Sequence, residues 1–244
     1  MKPEHGSSQY EPAFQNRRQM PDPSEAKAAP LTHRAEVDVI RDSVTQEPHL
    51  IEEQGAGVFS RWVDERRAHC SWFGTLGVTV LAGLIAGPFS LIGAMLSGSH
   101  GTTGVLYVVL FGPIIEELLK QSGMIYLVER KPYRVFASWQ FFVAAWISAL
   151  IFASVENVIY IAEYARIMGE PDRVASFAAF RWSVCTGFHL CCATVAALGV
   201  QRVWKKQLES GRPADLSHGF PLIVTAIVLH GIYNSIALLF SDLF

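Results

Sequence analysis

Gly112-Pro113-Ile114-Ile115-Glu116-Glu117-Leu118-Leu119-Lys120 sets two adjacent carboxylates and an amine inside a segment that otherwise reads as hydrocarbon. Val105-Leu106-Tyr107-Val108-Val109-Leu110-Phe111 precedes it, and Met124-Ile125-Tyr126-Leu127-Val128 follows. A charge at the bilayer centre costs roughly 2.5–3.5 kcal/mol on insertion scales, so ionisable residues in such a segment point to function by default. On a helix Glu116 and Lys120 are i,i+4 neighbours, and Glu117 is i,i+3 from the same lysine. Pro113, one turn earlier, predicts a kink that frees backbone carbonyls. The competing reading is a buried ion pair that only ties helices together, because polar groups also act as interhelical glue.

The rest of the chain fits a membrane setting. Of 244 residues, 50% are hydrophobic and 17% charged, below the about 25% charged of soluble domains. Long apolar runs begin only after residue 70, whereas half of the 12 prolines lie before it. Residues 1–55 have no apolar run and read as a disordered, cytoplasmic tail; no apolar core of a signal peptide follows the start. Within 56–70, Val58, Phe59, Trp62 and Val63 share a helical face flanked by Arg61, Arg66 and Arg67, the pattern of a juxtamembrane amphipathic helix. A plain linker is the alternative there. A net charge of −2, with no basic cluster tracking aromatics, excludes a nucleic-acid partner. Cys70, Cys185, Cys191 and Cys192 form no disulfide framework and no CxxC pair.

Residues 71–244 read as an all-α, polytopic membrane helix bundle of about five transmembrane helices. The spans run over Trp72–Leu96, about Thr103–Val128, Trp139 to about Tyr160, about Val174–Val203 and Phe220–Phe240. With five spans, Arg61/Arg66/Arg67, Arg130/Lys131/Arg134 and Arg202/Lys205/Lys206/Arg212 fall on one side, and only Arg166 and Arg173 on the other. The positive-inside rule then puts the N-terminus in the cytoplasm and the C-terminus outside. No inverted internal repeat is evident.

The polar residues inside these spans converge in depth. At ~1.5 Å per residue, Glu116, Glu117, His189 and His230 fall near the midpoints of their spans, and Glu156 lies roughly 7 Å outward of its own. Asn234 is one turn from His230, and Asn157 adjoins Glu156. Each alone is explained by a structural hydrogen bond. Arg181 reads as a side chain that snorkels outward, and Cys192, i+3 from His189, as packing rather than a ligand. Taken together, two imidazoles and three carboxylates in lipid suit water activation, with zinc held by N and O ligands and a carboxylate accepting the proton. A proton-coupled transporter is the first alternative, since Glu/His chains also relay protons. A non-catalytic scaffold with a polar core is the second, and under it Glu117→Gln costs stability but no activity.

Glu116-Glu117-x-x-Lys120, Phe152-x-x-x-Glu156-Asn157, His189 and His230-x-x-x-Asn234, in that order across residues 105–238, resemble the motif set of the PrsW-type intramembrane proteases. That family is distantly related to the CAAX prenyl proteases. The resemblance implies a multi-pass peptidase of the cell membrane, in bacteria the plasma membrane, that works within the lipid bilayer. Its substrates would be membrane-associated proteins, such as single-pass regulators of the anti-sigma-factor kind. It also implies that Glu116 and Glu117 are the essential carboxylates, one of them the general base. Lys120 would steer or neutralise the pair, and Asn234 would complete the catalytic set. His189, His230 and Glu156 would form the metal side, with Zn²⁺ as the cofactor. A glutamate alone can also activate water, with His and Asn stabilising the oxyanion. No motif specifies an oligomeric state.

Overall fold

The computed structural model describes residues 57–96 and 102–239. The tail of residues 1–55 and the Ser97–Gly101 connector lie outside them. Among the described residues there is no strand; the elements are α1 (Gly57–Ala68), α2 (Trp72–Leu96), α3 (Thr102–Leu106), α4 (Gly112–Arg130), α5 (Trp139–Met168), α6 (Pro171–Phe180), α7 (Thr186–Ser210) and α8 (Phe220–Leu239). Two of these joints are single π-helical turns: Tyr107–Phe111 joins α3 to α4, and Arg181–Cys185 joins α6 to α7. Each joint continues the helix instead of breaking it, so five long helical paths result.

Four of those paths are long and apolar enough to cross a membrane: Trp72–Ile92, Trp139–Met168, Pro171–Ser210 and Phe220–Leu239. The remaining path, α3 through α4, carries Glu116, Glu117 and Lys120, and α4 packs against α2, α5, α7 and α8 together. Its charged face is thereby screened from lipid, which removes most of the insertion cost that these residues carry on an isolated helix. Large apolar side chains on the outer faces, such as Leu84 and Phe89 of α2, Val158 and Ile159 of α5 and Ile232 of α8, stay exposed, as a lipid-facing coat requires. Helix α5 runs eight residues past the sequence expectation of Tyr160. It stops where Gly169 takes the left-handed conformation at φ 66°, just before Pro171.

Small residues let these helices approach closely. Ala144, Ala145 and Ala149 of α5 and Ala193, Ala196 and Ala197 of α7 are buried, and Phe141 fills the space beside Trp204 at 5.5 Å between ring centroids. Backbone groups left over at helix ends find side-chain partners. Gln140 Oε1 accepts from the amides of Phe136 (2.6 Å) and Ala137 (2.9 Å), while its Nε2 donates to Thr79 Oγ1 (2.6 Å), so one residue caps α5 and ties it to α2. Gln207 donates to the Val128 carbonyl at 3.1 Å, fixing the end of α7 beside the end of α4. Helix α1 lies at the same end of the bundle. Trp62 meets Tyr133 edge-on at 5.6 Å, and Arg67 donates to the Val135 carbonyl at 3.0 Å.

The tightest helix approach is α2 on α4. A Cβ added to Gly123 would lie 2.3 Å from the Ala82 carbonyl oxygen, a backbone atom that cannot move alone. Gly123→Ala is expected to cost about 1–3 kcal/mol, as overpacking of a closed interface does, and to lower the thermal midpoint of the detergent-purified protein. An unchanged midpoint would mean that α2 and α4 are not in backbone contact.

Candidate active site

Both π turns sit immediately before the polar residues of their helices, and each has an identifiable cause. In the first turn the Gly112 amide bonds to Tyr107 O. The next carbonyl, Val108 O, would need the amide of residue 113, and Pro113 has none. Asn234 Nδ2 of α8 supplies that donor at 2.8 Å. Helix α8 comes this close because of Gly231, where a Cβ would lie 2.4 Å from Val109 O. The kink expected at Pro113 is thus a widened turn locked by another helix, and Asn234 is placed on backbone rather than on the carboxylates. In the second turn Arg181 O accepts the Thr186 amide and is further bonded by two side chains, Thr186 Oγ1 and Asn157 Nδ2, each at 3.3 Å. π turns of this kind are concentrated at functional sites because they rotate the following residues.

The residues so presented form one continuous chain across four helices. Lys120 Nζ donates to Glu117 Oε1 at 2.7 Å, and His230 Nδ1 lies 2.9 Å from the same oxygen. His230 Nε2 faces Glu116 Oε2 at 3.7 Å. On the other side Lys120 Nζ is 3.4 Å from His189 Nδ1, whose Nε2 lies 2.9 Å from Glu156 Oε2. Arg181 Nη2 donates to that oxygen at 2.9 Å, and its Nε donates to Asn157 Oδ1 at 3.0 Å. Glu116, Glu117, Lys120, His189 and His230 are all buried.

Of the expected site residues, the fold therefore unites Glu116, Glu117, Lys120, His189, His230 and Glu156. The lysine pairs with Glu117, its i,i+3 neighbour, and not with Glu116. Glu156 reaches the cluster through His189 and stands outside the tight group of Glu117, His189 and His230, whose ligand atoms all lie within 4.8 Å of one another. Arg181 does not snorkel outward. It turns onto α5, over the Tyr160 ring at 4.3 Å and onto Glu156. Cys192 packs with Ala196 and Ala226, as a small hydrophobe does. Phe152, quoted in a motif but given no role, is the floor of the site. Its ring lies 4.1 Å under the Lys120 ammonium and meets His189 edge-on at 5.1 Å. Its spacing of four from Glu156 on one helical face was the available signal. A cavity of about 410 Å³ between α5 and α6 is lined by Tyr164, Asp172, Arg173, Ser176, Phe177 and Phe180, and no cluster residue borders it.

The donor set fits a divalent metal. Two imidazoles and a carboxylate are the ligands of hydrolytic zinc sites. Glu116 Oε2 and Glu117 Oε2 are buried without any hydrogen-bond partner, and a buried oxygen so placed is costly unless something else satisfies it. His189 also has the carboxylate on its far nitrogen that metal-ligating imidazoles carry. Among curated proteins and solved structures none matches the chain. A family model described as PrsW family intramembrane metalloprotease matches residues 67–244, from the end of α1 through every residue of the cluster. The chain belongs to that family and is a multi-pass membrane protein and intramembrane peptidase.

Proposed function

We propose that the chain hydrolyses peptide bonds of membrane-anchored proteins at the Glu117/His189/His230 group, with Zn²⁺ as the metal and Glu116 as the general base. The supporting observation is the grouping itself: three ligand residues with ligand atoms within 4.8 Å of one another, beside a buried Glu116 oxygen that has no hydrogen-bond partner. Glu117, His189 and His230 would hold the zinc, which would supply Lewis-acid polarisation of the carbonyl and a lowered water pKa. Glu116 Oε2 accepts the proton of the water whose oxygen attacks the scissile carbonyl carbon. The same carboxylic acid returns that proton to the departing amine as the C–N bond breaks. Glu156 holds the far side of His189, and Asn234 keeps the widened turn that aims Glu116 and Glu117. Single-pass regulators of the anti-sigma-factor kind suit a site at this depth.

The orientation follows from charge. Arg130 and Lys131 share an end of the bundle with Lys205 and Lys206, because Gln207 bonds Val128 there, and α1, which carries Arg61, brings Arg66 over the Tyr133 ring at that end. At the other end Arg166 is paired with Glu163, and Arg173 with Glu170 at 2.7 Å. The first end is cytoplasmic by the positive-inside rule, in a cell membrane.

A metal-free glutamate peptidase is the second reading, and the Lys120 ammonium against Glu117 favours it. Metal content decides between them. Detergent-purified protein is expected to carry about one zinc per chain by elemental analysis, and a folded His189→Ala/His230→Ala variant none. Absence of zinc from wild type, even after incubation with Zn²⁺, would leave the glutamate-only reading.

A further inference from the structure

Lys120 borders the ligand group directly. Its ammonium, with the side chain fully buried, is 2.7 Å from Glu117 Oε1 and 3.4 Å from His189 Nδ1. It thus touches two of the three residues that form the ligand group, and the third, His230, is on the same Glu117 oxygen at 2.9 Å. Zinc binds such atoms at about 2.0–2.2 Å, so an ion shared by ligand atoms within 4.8 Å of one another would lie against the ammonium. Two like charges at that separation, away from water, repel far more strongly than in solvent. One of them has to leave.

Resting on the metal reading above, we infer that Lys120 is a built-in competitor for the metal: its ammonium occupies the cation position in the metal-free protein and must swing out for an ion to enter. Geometry favours such a role over a permanent salt bridge. Glu117 and Lys120 are both on α4, so that ion pair by itself joins no two helices. Besides Glu117 and His189, the ammonium rests on the Phe152 face at 4.1 Å, a contact that does not fix its direction. A lysine, with its flexible four-carbon stem, can withdraw from such a seat where a guanidinium fork could not do so as readily. In the metal-free state the ammonium offsets the Glu117 charge, while the two imidazoles stand edge to face at 5.0 Å between ring centroids. The ligand set is therefore preformed before the ion arrives.

The test uses Co²⁺ as the probe, titrated into the metal-free, full-length protein in detergent and followed by its visible absorption. Lys120→Met is expected to bind Co²⁺ at least about tenfold more tightly than wild type, because the competing charge is gone. Lys120→Arg is expected to bind at least about tenfold more weakly. Lys120→Met should also lose thermal midpoint without metal and regain it with Co²⁺, because the ion replaces the missing charge. Where Lys120→Met does not fold metal-free, the comparison of Lys120→Arg with wild type carries the same test. Equal affinities across wild type and the folded variants would overturn the competitor role and leave the metal site standing. No Co²⁺ binding by wild type or by Lys120→Met would overturn the metal site and the competitor role together.

Discussion

Glu116→Gln is expected to lower the cleavage rate of a single-pass reporter in proteoliposomes by roughly 10²–10⁴-fold, the range for loss of a general base, with zinc content unchanged. The two adjacent glutamates differ in what they touch. Glu117 Oε1 is engaged by Lys120 and His230 at once, which commits that carboxylate to the cation position. Glu116 faces His230 Nε2 at 3.7 Å, and its Oε2 has no hydrogen bond. An amide fits the same space, since Gln differs from Glu by one NH₂ in place of one oxygen. The substitution therefore removes proton acceptance and little else. Glu117→Gln, by contrast, should lose zinc as well as activity. If Glu116→Gln cleaves at the wild-type rate, Glu116 is not the base. If instead Glu117→Gln keeps its zinc and loses only rate, the two glutamates exchange roles.

How much of this was legible beforehand depended on whether a feature is local. The all-α bundle was, because an uncharged run such as Trp72–Leu96 is a property of consecutive residues, although the ends of the later helices were not. So was the set of polar residues, because depth follows from counting along a helix. What stayed hidden depends on a donor from elsewhere in the fold. Pro113 announced a disturbance, but a kink and a π turn differ in whether Val108 O finds a new partner, and that partner, Asn234, is 126 residues away. Arg181 in isolation is a cation near a span end, and water is its default destination. Only the register of α5 against the second π turn sets Glu156 and Asn157 before it. Similarly, i,i+3 and i,i+4 pairing are both open to Lys120, and His230 and His189 from two other helices decide for Glu117.

The Glu156–Arg181 pair carries the second large effect, and it separates stability from metal binding. Glu156→Ala leaves a largely buried guanidinium, its side chain 11% exposed, with Asn157 Oδ1 as its remaining side-chain acceptor. Breaking a buried pair from one side costs about 3–5 kcal/mol because the other charge is orphaned. It also strips the carboxylate from His189 Nε2, and loss of such an orienting partner lowers metal affinity by about 10–100-fold. Arg181→Met is the asymmetric control. Glu156 then keeps His189, so the loss is that of a charge-assisted hydrogen bond, about 1.5–3 kcal/mol, and metal affinity should hardly move. In Glu156→Ala/Arg181→Met no charge is orphaned, so thermal stability should rise above that of Glu156→Ala while metal affinity stays low. A double variant no more stable than Glu156→Ala would show that the stranded guanidinium is not the cost. Wild-type Co²⁺ affinity in Glu156→Ala would show that His189 is held by its packing on Phe152 and not by the carboxylate. With the expected pattern, Glu156 orients His189 in the site, and Arg181 serves chiefly to make a carboxylate tolerable at that depth.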